Sequence, residues 1–301
     1  MTIAIKDSAP KVPMQSPFGP SHEAAGTLPD LVLITADKVA FYTHRRRLSH
    51  ASSNSFGGLL FDTSDSIHVP ESGTCIDLAL RIMYGFPCAQ LVPALEDILD
   101  AVAALTKYGI SVQKLAAPFL PLYQLILAYA PHRSIEVYAL AGHYGLEELA
   151  VAVSSHLLAY DTSMLSDELS IEMGPIYIRR LFELHAHRRN ALRNIVLRLP
   201  TMHPRTNECT EDTQWQLTQA WAYAAAEIVW EALPSDSRLT LLSAWRRSLN
   251  AAIPLIGMSP CALQSAFEKN GTLIQCHDCR EMLHDGIQEA MHEWSSVRST
   301  I

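Results

Sequence analysis

Glycine and charged residues are scarce in this chain. It contains 13 glycines in 301 residues, and only 18% of the residues are charged. Few backbone segments can therefore approach a phosphate closely. The sequence has no Gly-rich phosphate loop, no dinucleotide fingerprint, no G-x-S-x-G and no H-E-x-x-H motif. Single Ser, His and Asp residues form no local catalytic arrangement, so we predict a binding protein that is not an enzyme and needs no cofactor.

Long uninterrupted apolar runs are also absent. The uncharged segment 115–131 contains Pro118, Pro121 and Gln124. It is shorter than the ~20 residues that a membrane span needs. We predict a buried helix or a packed connector there, and no membrane role.

The first 28 residues are rich in proline and show no periodic apolar face. They also lack the continuous apolar stretch of a secretory signal. We predict that residues 1–28 form a disordered leader. Six cysteines without such a signal indicate free thiols in a reducing compartment, so we expect a cytoplasmic or nuclear protein.

The overall composition favours a large core. Apolar residues make up 49% of the chain, and its length suggests about two domains. The net charge of −8 argues against a protein built globally for nucleic acid or anionic membranes.

Residues 29–56 form the most informative stretch. Two apolar, strand-like runs, 31–35 and 39–43, are joined by a short polar break. This pattern predicts a β-hairpin. Residues 44–51 then change to helical spacing, with Leu48 facing inward and the arginines outward. We expect Phe41, Leu48 and Phe56 to share one core.

The order of residues in this stretch resembles the BTB/POZ domain. That family has an Asp, an apolar strand, an Asp-Gly-like turn, a Phe and then His-basic-x-x-Leu-Ser-x-x-Ser-x-x-Phe. The matching positions here are Asp30, Asp37, Phe41, His44, Arg45, Leu48, Ser49, Ser52 or Ser53, and Phe56. Lys38 stands where the family often has Gly, so we expect a turn that needs no positive φ at that residue.

The following residues complete a BTB-like unit that ends near residue 117. Residues 67–69 predict a third strand, and Ser52 or Ser53 is positioned to cap a short helix that ends at Leu60. Further helices are predicted over 74–84, 95–108 and 112–117. A strand followed by Glu-Ser and by an apolar helix ending in Ile-Met-Tyr-Gly is similar to the second half of that family's domain.

The rest of the chain predicts helices only. They cover residues 134–143, 147–160, 176–199, 213–233, 237–253, 261–267 and 280–297. The predicted fold class is therefore α+β and mostly α. It comprises a BTB/POZ-like domain over 29–117, with a small sheet and a β-hairpin flanked by helices, and an all-helical domain over 118–301. We place the linker within residues 117–134.

The resemblance implies that Asp30, His44 and Arg45 lie near a dimer surface or partner groove. It thus predicts a protein–protein interaction module that associates with itself or with other proteins, as an adaptor or regulatory scaffold. The alternative is that Asp30 caps the entry to the strand and the arginines form a solvated helix face. His44 is more typical of a packed residue that bonds a backbone group than of a switch.

Two features of the family are missing. The leader shows no amphipathic helix of the kind that many members exchange between dimer partners. Members that recruit cullin scaffolds carry a hydrophobic-x-Glu motif after the helix that ends near Leu60, whereas residues 59–65 contain no Glu. The sequence leaves cullin recruitment open.

Cys276 and Cys279 have a spacing typical of metal ligands. A Cys-x-x-Cys turn can present two thiolates to zinc, and Cys261, His284 or Cys209 are candidates to complete the set. The other interpretation is a pair of reduced thiols at a helix start. We predict no tightly bound metal, because nothing in the sequence indicates that two further ligands come together.

One predicted helix is strongly basic, which supports an alternative function. Residues 179–198 contain Arg179, Arg180, Arg188, Arg189, Arg193 and Arg198, with His185 and His187 beside them. If these arginines share one exposed face, the chain is a transcriptional or nucleic-acid-associated regulator. Because the chain is acidic overall, we favour a solvated face that pairs with acidic side chains, and we expect the tryptophans of 213–233 to lie in the core.

Overall fold

The computed structural model describes residues 16–24, 26–231 and 257–301, and it is mostly helical with one small sheet. The chain divides into two compact units. The first comprises Met1–Arg133 and His143–Leu149, and the second Ser134–Gly142 and Ala150–Ile301. The first boundary between the units lies between Arg133 and Ser134. This is the end of the segment 117–134 in which the sequence places the linker. The predicted helix over 237–253 lies outside the described residues.

The first unit contains the sheet, which has the strand order β2-β1-β3. β1 is Leu31–Ile34, β2 is Ala40–Thr43 and β3 is Ser66–His68. β1 pairs antiparallel with β2, with Leu33 opposite Phe41, and parallel with β3, with Leu33 also opposite Ile67. Apolar side chains at these three positions are buried on one face of the sheet. The predicted hairpin and third strand are therefore present.

Short helices complete the first unit. They are α1 (Arg45–Ala51), α2 (Gly73–Tyr84), α3 (Leu95–Lys107), α4 (Val112–Leu115) and α5 (Pro121–Leu127). α2 is capped by Ser72, whose hydroxyl accepts from the backbone N–H of Cys75. α5 begins at a proline, which suits the first position of a helix because that residue needs no N–H.

The hairpin turn differs from the expectation at Lys38. This residue has φ 61°, so the expectation that the turn needs no positive φ there is wrong. The Asp37 carboxylate accepts hydrogen bonds from Thr35 Oγ1 at 2.5 Å and from the backbone N–H of Gly73 at 2.9 Å. These bonds fix the turn against the start of α2, and we attribute the left-handed conformation of the non-glycine residue to them.

The expectation of a disordered leader does not hold for residues 16–24 and 26–28. Phe18 is fully buried and makes edge-to-face contacts with Tyr84 and Phe86. Its carbonyl accepts a hydrogen bond from Tyr42 on β2 at 2.9 Å. Phe18 and this backbone bond thus help to anchor a segment whose proline content predicts disorder. Residues 1–15 of the predicted leader lie outside the described residues.

The predicted helix ending at Leu60 is replaced by turns. Ser55, Phe56, Gly57 and Gly58 all have positive φ, and only residues 59–61 form one 3₁₀ turn. Ser52 Oγ accepts from the backbone N–H of Phe56 at 2.7 Å and so stabilises the irregular path. Phe41, Leu48 and Phe56 are nevertheless buried, and the ring of Phe56 stacks on Tyr108 at 4.1 Å between centroids.

The second unit contains the long helices. After α6 (Ser134–Tyr144) and α7 (Glu147–Ser154), which divide between the units, come α8 (Asp167–Val196), α9 (Glu211–Glu231), α10 (Pro260–Asn270) and α11 (His277–Ser296). α8 is interrupted at Gly174, which has φ 76°, and it resumes at Pro175 as the sequence predicts for a helix start.

The core of the second unit forms where α8 to α11 meet. Trp221 stacks on Phe267, and its indole N–H donates to the carbonyl of Val196 at 2.8 Å. Trp294 is also buried and donates to the carbonyl of Met258. The expectation of a tryptophan core in α9 holds for Trp221 but not for Trp215, which is 63% exposed. The side chain of Trp230 lies outside the described part of the structure.

We predict that Gly109→Ala destabilises the first unit more than Gly85→Ala. Both glycines follow helices and have positive φ, which costs a non-glycine residue about 1–2 kcal/mol. A Cβ at Gly109 would lie 2.5 Å from Asn54 Oδ1 and 2.9 Å from the backbone N of Asn54, whereas nothing lies within 4 Å of one at Gly85. Denaturant melts should therefore show an extra loss of about 1–3 kcal/mol for Gly109→Ala. Equal losses would mean that the Asn54 contact contributes nothing.

Candidate functional site

Asp30 and Arg45, two of the residues predicted to bind a partner, are hydrogen-bonded to each other. Asp30 Oδ1 accepts a hydrogen bond from the backbone N–H of Arg45 at 2.7 Å. That amide belongs to the first turn of α1 and has no partner within the helix. The carboxylate therefore fixes the start of α1 against the residue that precedes β1. The alternative offered by the sequence has Asp30 capping the entry to the strand, whereas its carboxylate binds the first amide of α1.

The guanidinium of Arg45 binds a run of backbone carbonyls. It donates to Leu60 O at 3.2 Å, Asp62 O at 2.6 Å and Ser64 O at 2.5 Å. Residues 59–61 form a single 3₁₀ turn, and residues 62–65 form no helix or strand. Arg45 therefore holds this segment to α1. Phe61, in the middle of it, is 79% exposed.

His44 is a packed residue. Its Nε2 lies 3.0 Å from the carbonyl of Thr27, and its Nδ1 lies 3.1 Å from the hydroxyl of Tyr84. A neutral imidazole satisfies both bonds if Nε2–H donates to Thr27 and Nδ1 accepts from Tyr84. The backbone N–H of His44 also donates to that hydroxyl. His44 therefore links Thr27 to Tyr84. Its role in partner binding stays a prediction.

The arginines of the basic helix do not share one exposed face. Arg188 is buried, with its guanidinium 4.1 Å above the ring of Trp294, and it donates to the carbonyls of Val297 and Arg298. Arg179 pairs with Glu183, and Arg198 binds Glu293 through both guanidinium nitrogens. Several of the positive charges are thus used within the second unit, which does not favour a nucleic-acid surface.

His203, Cys209, Cys276 and Cys279 form a compact cluster in the second unit. Their ligand atoms all lie within 4.8 Å of one another. His203 Nε2 lies 3.3 Å from Cys279 Sγ and 3.6 Å from Cys276 Sγ, and Cys209 Sγ lies 3.7 Å from Cys279 Sγ. We call these four residues the Cys₃His cluster. Cys209 and Cys279 are fully buried, and the side chain of His203 is 8% exposed.

Two segments far apart in sequence supply the Cys₃His cluster. His203 and Cys209 lie in the irregular loop between α8 and α9, where Thr206 Oγ1 accepts from the backbone N–H of Cys209. The buried side chain of Gln214 donates to the carbonyl of His203 at 2.8 Å and fixes its backbone. Cys276 is the residue before α11, and Cys279 lies in the first turn of that helix.

Hydrogen bonds act on two of the four groups, His203 and Cys276. His203 Nδ1–H donates to the carbonyl of Pro204 at 2.7 Å, which leaves the lone pair of Nε2 directed towards the sulfurs. The backbone N–H of Cys279 donates to Cys276 and lowers the pKa of that thiol to about 7. Burial raises the pKa of the Cys279 thiol to about 12.

Sequence reasoning located only part of this cluster. Cys276, Cys279 and Cys209 were candidates, but His203 was missed, and neither Cys261 nor His284 belongs to the set. The fold brings His203 and Cys209 to the Cys-x-x-Cys turn, which nothing in the sequence indicates. The available signal was a His six residues before Cys209 in a polar, proline-containing loop. By itself, this His–Cys spacing is a weak signal for metal ligands, because it does not show that the two side chains meet the Cys-x-x-Cys turn.

Comparisons with known proteins identify no relative. No protein-family model matches the chain, no curated protein matches it, and no solved structure matches its fold. Within the described ranges, no helix combines the length and the apolar character needed to cross a bilayer.

We predict that His185 makes the second unit less stable as the pH falls. Burial lowers the pKa of His185 from 6.5 to about 4, opposed in part by its hydrogen bond to the carbonyl of Leu157. The unfolded chain therefore binds a proton that the folded chain does not, so stability falls between pH 6.5 and pH 4, by at most about 3 kcal/mol.

The measurement is a set of denaturant melts of the wild type and His185→Gln across this range. Other groups also titrate, so the difference between the two proteins is the quantity of interest. We expect the loss between pH 6.5 and pH 5 to be smaller in His185→Gln. Identical pH profiles would contradict the assignment.

Proposed function

We propose that this chain is a BTB/POZ-type protein–protein interaction module of the cytoplasm or nucleus, which associates with itself or other proteins as an adaptor or regulatory scaffold. The observation that carries this proposal is the exposed Phe61 segment, residues 59–65, held rigidly beside α1. The hairpin, the following helix and the third strand parallel to β1 occur in the order that the family resemblance implies. This agreement supports the proposal.

The Phe61 segment has the chemistry of a protein-binding surface. Phe61 exposes most of an aromatic side chain, and aromatic anchors dominate the energetics of many interfaces. The backbone around it is fixed by Arg45, so little ordering entropy is lost on binding. β3, an edge strand of the sheet, begins at Ser66, directly after the segment.

The charges around Phe61 favour a second copy of the chain as the partner. Asp62 and Asp65 are exposed on the segment, and Arg46 is exposed on the adjacent helix α1. A two-fold contact places the same patch of one chain against the other, so a patch carrying both signs can complement itself. Charge pairs of this kind provide register and specificity more than affinity.

Asp30 and Arg45 act in this proposal as positioning residues. Asp30 fixes the start of α1, and Arg45 fixes residues 60–64 to that helix. Replacing either residue would leave the Phe61 side chain unchanged but would remove hydrogen bonds that fix the backbone around it. This modifies the expectation that Asp30 and Arg45 contact the partner themselves.

We predict that Phe61→Ser weakens self-association of the full chain by about tenfold or more. Removing the aromatic anchor should leave the monomer fold unchanged, because the side chain is exposed. Asp30→Ala and Arg45→Ala should weaken association as well, and Arg46→Ala should reduce its dependence on salt. Analytical ultracentrifugation over a range of concentrations measures each effect.

Phe119→Ser is the matched control, since Phe119 is an equally exposed aromatic residue of the same unit, at 87%. It should associate as the wild type does. Melting curves show whether each variant is folded. A wild type that is monomeric at every accessible concentration, or a Phe119→Ser effect equal to that of Phe61→Ser, would overturn the assignment of this surface.

A further inference from the structure

We infer that the Cys₃His cluster is a structural zinc site that joins the loop between α8 and α9 to the start of α11. The inference does not depend on the proposed interaction function, because the cluster lies in the second unit. It rests on the positions of four ligand atoms, on their burial and on the hydrogen bonds around them.

The distances between the ligand atoms match a tetrahedral zinc centre. With Zn–S of about 2.3 Å and Zn–N of about 2.0–2.1 Å, tetrahedral geometry requires S···S of about 3.8 Å and S···N of about 3.6 Å. The cluster has Sγ···Sγ of 3.7 Å between Cys209 and Cys279, and Nε2···Sγ of 3.3 and 3.6 Å for His203. The remaining pairs of ligand atoms lie within 4.8 Å of one another, so a single ion can contact all four atoms after shifts of up to about 1 Å.

The ligand types select the metal. Three thiols and one imidazole form a soft donor set that suits zinc and not calcium or magnesium, which prefer oxygen ligands. Cys₃His is one of the ligand sets found in structural zinc sites, and its four protein ligands leave no position open for water or substrate. We therefore infer a structural role and not a catalytic one.

The surroundings of the cluster support the same conclusion. The bond from His203 Nδ1–H to Pro204 holds the tautomer that a metal ligand needs, and Gln214 holds the His203 backbone. Cys209 and Cys279 belong to the buried core that also contains Trp221.

A disulfide is the main competing interpretation. The two buried sulfurs, of Cys209 and Cys279, lie 3.7 Å apart, whereas a disulfide requires about 2.05 Å. A disulfide between any two of the cysteines would also give no role to the prepared Nε2 of His203. Zinc binding uses all four groups, and on binding the metal displaces the thiol protons into solvent.

The test is the metal content of the full chain purified without chelator or added metal. We expect about one zinc per chain by inductively coupled plasma mass spectrometry. Replacing zinc with Co²⁺ should give the visible absorption of tetrahedral thiolate-bound cobalt. Removing the metal with a chelator should lower the melting temperature of the second unit, and adding zinc back should restore it.

Variants distinguish a bound ion from adventitious zinc. Cys276→Ser and His203→Ala should lose zinc, whereas Cys261→Ser, which removes an exposed thiol of the same unit outside the cluster, should keep it. His203→Cys should retain zinc as a four-thiolate site with a shifted cobalt spectrum. This variant keeps the test valid if the others fail to fold.

Three results would overturn the inference. They are wild-type protein that is folded and free of zinc, zinc that remains in Cys276→Ser, and a Cys209–Cys279 disulfide found by mass spectrometry under reducing purification. Zinc lost equally from Cys261→Ser would also count against the cluster as its site.

Discussion

The structure depends on side chains that satisfy the backbone of irregular segments. A buried or half-buried carbonyl or amide outside helices and strands needs a partner, and an unmet one costs about as much as a lost hydrogen bond. In the first unit, Arg45 supplies three N–H groups to residues 60–64, and Ser52 supplies an acceptor for Phe56. In the second unit, Gln214 and Thr206 do the same for the loop before α9. Single polar residues thus determine the paths of the segments that carry both proposed sites.

Elements whose apolar pattern is strong could be predicted from the sequence. β1 alternates buried and half-buried positions, and the buried residues of α3 recur at helical spacing. β2 and α2 are rich in apolar residues, so the existence and approximate bounds of all four elements follow from local residues. The turns between residues 52 and 61 could not be predicted in the same way. Four successive positive φ values there depend on contacts with Tyr108 and with residues 107–109, which are more than forty residues away.

The proposed sites show the same division. Arg45 belongs to a recognisable pattern, but its three carbonyl partners depend on the tertiary structure. Cys276 and Cys279 have a spacing that indicates metal binding, whereas His203 and Cys209 join them only because α8 and α9 pack beside α11. Local sequence can therefore identify half of a metal site. The other half requires the fold, because the two halves are about 70 residues apart.

The buried guanidinium of Arg188 has a consequence for synthesis of the chain. Its acceptors are the carbonyls of residues 297 and 298, more than 100 positions later. While the ribosome is still making the last helix, this charge has neither those carbonyls nor the ring of Trp294. The packing of Arg188 against Trp294 and its bonds to those carbonyls can therefore form only after this part of the chain has been made. The second unit is therefore expected to complete its folding only after α11 has been synthesised.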